Sequence, residues 1–365
     1  MMFLDPTNPD AWPTPKTPYE AETLAFCRSW LTIQETYTLH TSGSTGAPKP
    51  IQLTRAQMRA SAHLTGQTLG LQAGDKALVC LNIRYVAGIM MLVRGMELGL
   101  PMTIIEPSGN PLIDFDPATD QFAFTALVPL QLQTILTSDT KKLPILNKAK
   151  AVLVGGAATS SSLEQALQVI TSPVFATYGM TETVSHIALR RLNGSEASEF
   201  FTALPGVDLG TDELNCLHIT SAATNYTRVQ TNDVVDLIAG ATHENARFRL
   251  LGRADRIINS GGVKVQPEQI EQMIQTILAA DKSSIEDRPG NRLFVTGLPD
   301  ERLGQRIVVV REKEPINPQQ WKQAQEAIRA TLGPFSVPKE VITVAQFLET
   351  PTGKVDQKAT VAQIR

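Results

Sequence analysis

The sequence predicts an α/β protein: a large N-terminal domain with mostly parallel sheets flanked by helices, plus a small C-terminal α+β domain. Three observations carry that prediction. Between about residues 76 and 177 short apolar runs alternate with helical segments, which implies crossover connections and a parallel sheet. The 365 residues, 42% of them hydrophobic, suffice for a large core and two domains. After Gly252 the elements become short and charged over roughly a hundred residues, enough to fold alone.

Each element has its own signal. Thr54-Arg55-Ala56-Gln57 is a capping box, so a helix should run from there to about Leu69. Residues 76–83 (KALVCLNI) read as a buried strand. Residues 86–98 read as a helix that Gly99 stops. Strands are expected at 101–106 and 122–128, and Pro129 suits the first turn of the next helix. A strand at 151–155, a helix at 160–170 and a strand at 174–177 follow. Ligands of parallel sheets sit at strand carboxyl ends, which singles out the loops Gly155-Gly156-Ala157 and Tyr178-Gly179-Met180-Thr181-Glu182. Residues 206–251 read as short strands and turns. The last unit reads as helix 267–278, strands 292–297 and 307–311, helix 318–332 and strand 341–344. The domains are expected at 1–252 and 256–365, with the boundary at residues 252–255.

Composition excludes several classes. A net charge of −3 provides no global basic field for nucleic acid or an anionic membrane. The longest apolar stretch, near 86–93, falls far short of the roughly 20 residues of a membrane span. Residues 1–16 hold four prolines and acidic side chains, unlike a signal peptide. Cys27, Cys80 and Cys216 form no CxxC or zinc pattern and read as reduced core thiols of a cytoplasmic protein. A homodimer is compatible with this reading.

The most informative segment is Thr41-Ser42-Gly43-Ser44-Thr45-Gly46-Ala47-Pro48-Lys49. Its hydroxyls, exposed N–H groups and lysine suit phosphate, and Gly43 and Gly46 let the backbone approach an anion. By composition it reads equally as a flexible linker. Its spacing matches neither the P-loop nor the dinucleotide fingerprint. Other residues have two readings as well. Asp233 and Asp236 could be solvated turn residues. Glu182 could be a dipole contact at a helix start, Lys354 a turn lysine, Tyr178 core and His186 structural. Arg94, on an apolar helix, either snorkels to solvent or pairs with a substrate carboxylate.

Taken together, five segments resemble the adenylate-forming (acyl/aryl-CoA synthetase, ANL) superfamily in identity, order and approximate spacing. They are the 41–50 loop, Tyr178-Gly-Met-Thr-Glu182, Thr231-Asn-Asp-Val-Val-Asp236, Gly252-Arg-Ala-Asp-Arg-Ile-Ile-Asn-Ser-Gly-Gly262 and Pro351-Thr-Gly-Lys-Val-Asp356. The resemblance spans about residues 38–356. Within the superfamily, residues 178–190 (YGMTETVSHIALR) and 86–94 (VAGIMMLVR) are most similar to o-succinylbenzoate–CoA ligases of menaquinone biosynthesis.

The resemblance implies an ATP-dependent acid–CoA ligase using Mg²⁺ and coenzyme A, with a small-molecule acid as substrate. It implies that Thr41, Ser42, Gly43, Ser44, Thr45, Gly46 and Lys49 grip the β- and γ-phosphates. Thr181 would contact the α-phosphate and Glu182 would help hold Mg²⁺. Tyr178 would stack on adenine beside Gly179, with Gly155, Gly156 and Ala157 as a further border. Asp233 and Arg253 would meet the ribose, and Lys354 would bridge the reacting carboxylate and the ribose–phosphate oxygens. Gly261 and Gly262 would line the pantetheine path, and Asp255 would be the hinge. Tyr85, Arg94, Ser185 and His186 would line the acid pocket, with Arg84 a further candidate cation.

The match has departures. The phosphate loop lies early, so the chain looks N-terminally abbreviated. Thr211-Asp212-Glu213-Leu214 stands for a Gly-Glu segment, Asn232 for a glycine, Arg256 for a second acidic residue and Tyr85 for a histidine. They leave open a CoA ligase for another aryl or short acyl acid, and a non-catalytic nucleotide-binding relative.

Overall fold

The computed structural model describes residues 1–32, 34–40, 50–238, 246–279, 292–349 and 355–364. The three cysteines are free and buried. No described helix is long and apolar enough to cross a membrane.

The N-terminal part opens with the short strand Met2–Leu4, and its helices include α1 (Pro18–Leu31), α2 (Arg55–Leu69) and α3 (Val86–Leu98). The expected capping box closes α2: Thr54 Oγ1 accepts from Gln57 N–H at 3.2 Å, and Gln57 Oε1 accepts from Thr54 N–H at 2.9 Å. Gly99 ends α3 in the left-handed region, at φ 67°. Gly95 in α3 packs so closely on the sheet that a Cβ there would overlap Met102 Sδ.

Among the described residues the main sheet has twelve strands. Five neighbours pair in parallel: Met102–Ile104, Ala77–Val79, Phe124–Leu127, Ala151–Val154 and Val174–Gly179. They are mainly buried Val, Ile, Leu and Ala, as strands covered on both faces must be. The sheet then changes character. His186–Arg191, Phe201–Ala203, Arg247–Arg253, Val229–Ile238, Cys216–Thr220 and Asp208–Thr211 join it antiparallel, and Met2–Leu4 pairs antiparallel with Met102–Ile104 at the opposite edge. The short strands expected at 206–251 thus extend the parallel sheet, which makes the whole sheet mixed rather than mostly parallel.

Two further differences bear on the site. The strand expected at 174–177 runs on to Gly179, so Tyr178 lies within the sheet, not in the loop after it. Asp233 and Asp236 stand on the ten-residue strand Val229–Ile238, not in a turn.

After Arg253 a single 3₁₀ turn (Ala254–Arg256) leads to a second sheet of Ile258–Ser260, Val263–Val265, Leu293–Asp300, Gly304–Glu312 and Glu340–Val344. Alternation along its long strands feeds two cores. Val295, Ile307 and Val309 face the helices Pro267–Ala279 and Pro318–Leu332, whose Ile270, Ile274 and Ile328 are buried there. Phe294, Val308 and Val310 face the other way, against Phe347.

Candidate active site

Two groups of side chains converge around the hairpin that joins strands Val174–Gly179 and His186–Arg191. The first is built on paired charges. Tyr178 O–H donates to Asp233 Oδ2 at 2.6 Å, and Arg253 Nη1 donates to Asp233 Oδ1 at 3.1 Å. Cross-strand register makes the second contact, because Asp233 and Arg253 are direct partners on adjacent strands. Arg253 also reaches Asp255 with two bonds, Nε to Oδ1 and Nη2 to Oδ2, both 3.0 Å. Those bonds hold the Asp255 carboxyl below its ordinary range and raise the guanidinium's pKa. The Tyr178 ring packs edge-on against Phe248 at 4.9 Å and lies 5.8 Å from Phe201. Burial and the neighbouring Asp233 push its phenol pKa up. The residue is therefore core by packing and polar at its tip.

Gly155, Gly156 and Ala157 follow strand Ala151–Val154 as a loop whose Gly156 adopts φ 85°. Thr181 is buried and Glu182 exposed on a one-turn 3₁₀ helix, Thr181–Thr183. Gly179 is where the returning chain presses closest: a Cβ there would overlap the Ser185 carbonyl oxygen and His186 Cα. At Val184 the backbone takes φ 65° and ψ −53°, and Ser185 N–H donates to Thr183 O at 2.7 Å. This is a γ-turn of the strained hand, at a β-branched and fully buried residue, and it costs about 1–3 kcal/mol.

The second group is built on a cation without a counter-ion among the described residues. Arg94 is 2% exposed. Its Nε donates to Thr65 Oγ1 at 3.1 Å and its Nη2 to Ser185 Oγ at 2.8 Å, with His186 Nδ1 at 3.4 Å. Thr65 Oγ1 gives its own proton to Ser61 O at 3.0 Å and lies 3.0 Å from His186 Nε2. Nε2 is thus the protonated nitrogen, and Nδ1 is left to accept from the guanidinium. Burial, reinforced by the cation, holds the His186 pKa well below its ordinary value, so the ring is neutral. No carboxylate reaches Arg94 among the described residues, and Nη1 has no partner there. Burial pushes its pKa down to about 9, so it stays charged at neutral pH.

The structure sorts the expected residues accordingly. Arg94 does not snorkel. At 2% exposure its side chain is buried, which removes that alternative. Ser185 and His186 join it. Arg84 is exposed and pairs with Glu22 at 3.2 Å, so it lies outside the group. Tyr85 caps α3 about 14 Å along the helix axis from Arg94 and does not meet it. Gly261 and Gly262, at φ 60° and 81°, turn the hairpin Ile258–Val265 of the small sheet. Arg256 binds Glu268 at 2.9 Å and Glu271 at 2.6 Å. Thr41, Ser42, Gly43, Ser44, Thr45, Gly46, Lys49 and Lys354 lie outside the described residues. Sequence reasoning missed Thr65, although Gln57, Ser61 and Thr65 form a polar stripe at four-residue spacing on the buried face of α2. It also missed Thr183 and Val184, whose roles come from backbone geometry. No described cluster of three or more His, Cys, Asp or Glu could hold a metal ion.

The sequence model of the AMP-binding enzyme family matches residues 31–208. An acyl-CoA synthetase (AMP-forming)/AMP-acid ligase II-like protein from Dyadobacter fermentans has a solved structure that is 42% identical, with a TM-score of 0.66. The match covers 100% of this chain and 99% of that one. The chain belongs to the AMP-binding enzyme family. It is an enzyme of the AMP-forming acid–CoA ligase type. A probable 2-succinylbenzoate–CoA ligase of Mycobacterium tuberculosis is 29% identical over 339 residues, covering 88% of this chain and 82% of the relative. The o-succinylbenzoate coenzyme A synthetase of Bacillus subtilis, solved with ATP and magnesium ion, shares the fold. Its TM-score is 0.69 at 17% identity, over 89% of this chain and 69% of that one.

Proposed function

We propose that this enzyme joins an acid bearing a second carboxylate to coenzyme A, and that the acid is 2-succinylbenzoate. The observation that carries the reading is Arg94: a buried guanidinium with three neutral partners and, among the described residues, none at Nη1, in a family that activates carboxylic acids. An uncompensated buried charge is costly, and a ligand carboxylate would complete it. Similarity to 2-succinylbenzoate–CoA ligases supports the choice of acid.

The reaction has two steps. One carboxylate of the acid attacks the α-phosphorus of ATP and pyrophosphate leaves; the thiol of coenzyme A then displaces AMP from the acyl-adenylate. Binding the remote carboxylate at Arg94 fixes the reacting one in place, and such positioning is most of what phosphoryl-type transfer needs. Asp233 keeps acceptor capacity for the ribose hydroxyls beyond its bonds to Tyr178 and Arg253. Thr181 contacts the α-phosphate. Glu182 is a single exposed carboxylate, a donor set that fits Mg²⁺ held largely by phosphate oxygens. A bound Mg²⁺ neutralises phosphate charge. Lys354 stabilises the charge of the first step, and the 41–49 loop holds the β- and γ-phosphates. The small unit turns about residues 253–255 between the steps, and Gly261 and Gly262 then border the pantetheine arm.

The test is pyrophosphate release with ATP, Mg²⁺, coenzyme A and a panel of 2-succinylbenzoate, benzoate, succinate and medium-chain fatty acids. Turnover on 2-succinylbenzoate well above benzoate is expected. Preference for benzoate or a fatty acid overturns the substrate, and ATP binding without turnover on any acid overturns the ligase reading.

A further inference from the structure

We propose that Val184 is a positioning residue whose strained γ-turn holds Ser185 against Arg94 and so sets the acid pocket in register with the nucleotide end. The inference rests on the acid-pocket reading above. Between Gly179 and His186 the chain must leave one strand, present Thr181 and Glu182, and enter the next strand with Ser185 Oγ facing α3. Only the six residues 180–185 are available to do all three. The pairing register already slips between Tyr178 and Gly179, and Gly179 has no side chain to obstruct the return.

What holds the turn is local and redundant. The fully buried Thr183 hydroxyl accepts from Met180 N–H at 3.0 Å and reaches Ser185 O at 2.8 Å. Val184 N–H donates to Thr181 O at 2.9 Å. Val184 itself is the anchor. Its side chain is 0% exposed and belongs to the main core. Glycine would adopt φ 65° without steric cost, so conformational ease does not explain a valine there. A buried β-branched side chain does what glycine cannot: its packing forbids the turn from relaxing, and the next residue is therefore fixed. That residue is Ser185, 2.8 Å from Arg94 Nη2. With Nε tied to Thr65 and Nη2 tied to Ser185, the plane of the guanidinium is set and Nη1 has one direction left.

The experiment compares wild type, Val184→Gly, Ser185→Ala, the double variant and Arg94→Ala on 2-succinylbenzoate or whichever acid the wild type prefers. Val184→Gly frees the turn and is expected to raise the acid KM about tenfold, the loss of one charge-assisted hydrogen bond, with the ATP KM within about twofold. In the Ser185→Ala background the same change is expected to add less than about twofold, because the two act through one contact. Val184→Ala keeps Cβ, tests the same idea if the glycine variant fails to fold, and is expected to shift the acid KM in the same direction by less. An unchanged acid KM in both Val184 variants overturns the proposal. So does a parallel rise in both KM values, or full additivity with Ser185→Ala. Arg94→Ala separates the two levels: if it leaves the acid KM unchanged, the pocket reading itself has failed. If it raises the KM while Val184→Gly does not, only the role of Val184 has.

Discussion

The two ends of the candidate site handle charge in opposite ways. At the proposed nucleotide end, one guanidinium, Arg253, ties the two carboxylates Asp233 and Asp255 and Tyr178 completes the chain, so each charge there has a partner. At the acid end, Arg94 sits among Thr65, Ser185 and His186 with no described anion to balance it. In the proposed reading, the first end exchanges hydrogen bonds with a polar ligand. In the same reading, the second gains a charge. Paired charges preserve geometry at little net energy, whereas an unpaired buried charge concentrates binding energy on the one ligand that completes it.

The largest expected effect concerns neither end as described. Lys354→Ala should slow adenylate formation about 10³-fold yet leave transfer to coenzyme A from a supplied acyl-adenylate within about threefold. Measuring the half-reactions separately checks this, and equal loss of both would sink the two-orientation reading. Next comes Arg94→Met. It should lower kcat/KM for the preferred diacid about 10²- to 10³-fold while raising unfolding free energy by about 1–2 kcal/mol, since it removes a buried charge that lacks a partner. A variant that loses both activity and stability would erase the contrast between the ends.

Asp233→Asn should act the other way. It weakens an acceptor that both Tyr178 and Arg253 use, so ATP KM should rise about 10- to 100-fold, acid KM should hold, and stability should fall by about 1–3 kcal/mol. The smallest effect is one of pH. The folded pKa of His186 lies well below its ordinary value of 6.5, so below pH 6.5 the unfolded chain takes up a proton that the folded ring refuses. Stability should fall by up to about 1.4 kcal/mol per pH unit as pH drops below 6.5, and the loss should continue until the folded pKa is reached. His186→Gln should remove that component, which denaturation curves at pH 7.5 and 5.5 can read.

Much of this was legible without coordinates. The bounds of α3, its Gly99 stop and the Thr54–Gln57 box depend on contacts within a few residues, and local chemistry predicted them closely. The parallel strands were found because both their faces are apolar. Of the antiparallel half, only residues 206–251 were read, as short strands and turns, and the strands His186–Arg191 and Phe201–Ala203 were not expected, because pairing direction and partner are non-local properties. Asp233 was placed in a turn for the same reason: polar residues on a half-covered strand look like loop residues until the partner strand appears.

By itself, then, the sequence determined the local elements, the family through five short segments, and the suspicion attached to a lone arginine in an apolar helix. Tertiary structure alone decided that this arginine is enclosed and lacks a described counter-ion, that His186 is neutral with both nitrogens engaged, and that Val184 bends the wrong way. Charge balance and burial are sums over neighbours from distant parts of the chain, and the strain at Val184 is held by a core built from those parts. None of these quantities exists until the chain has folded.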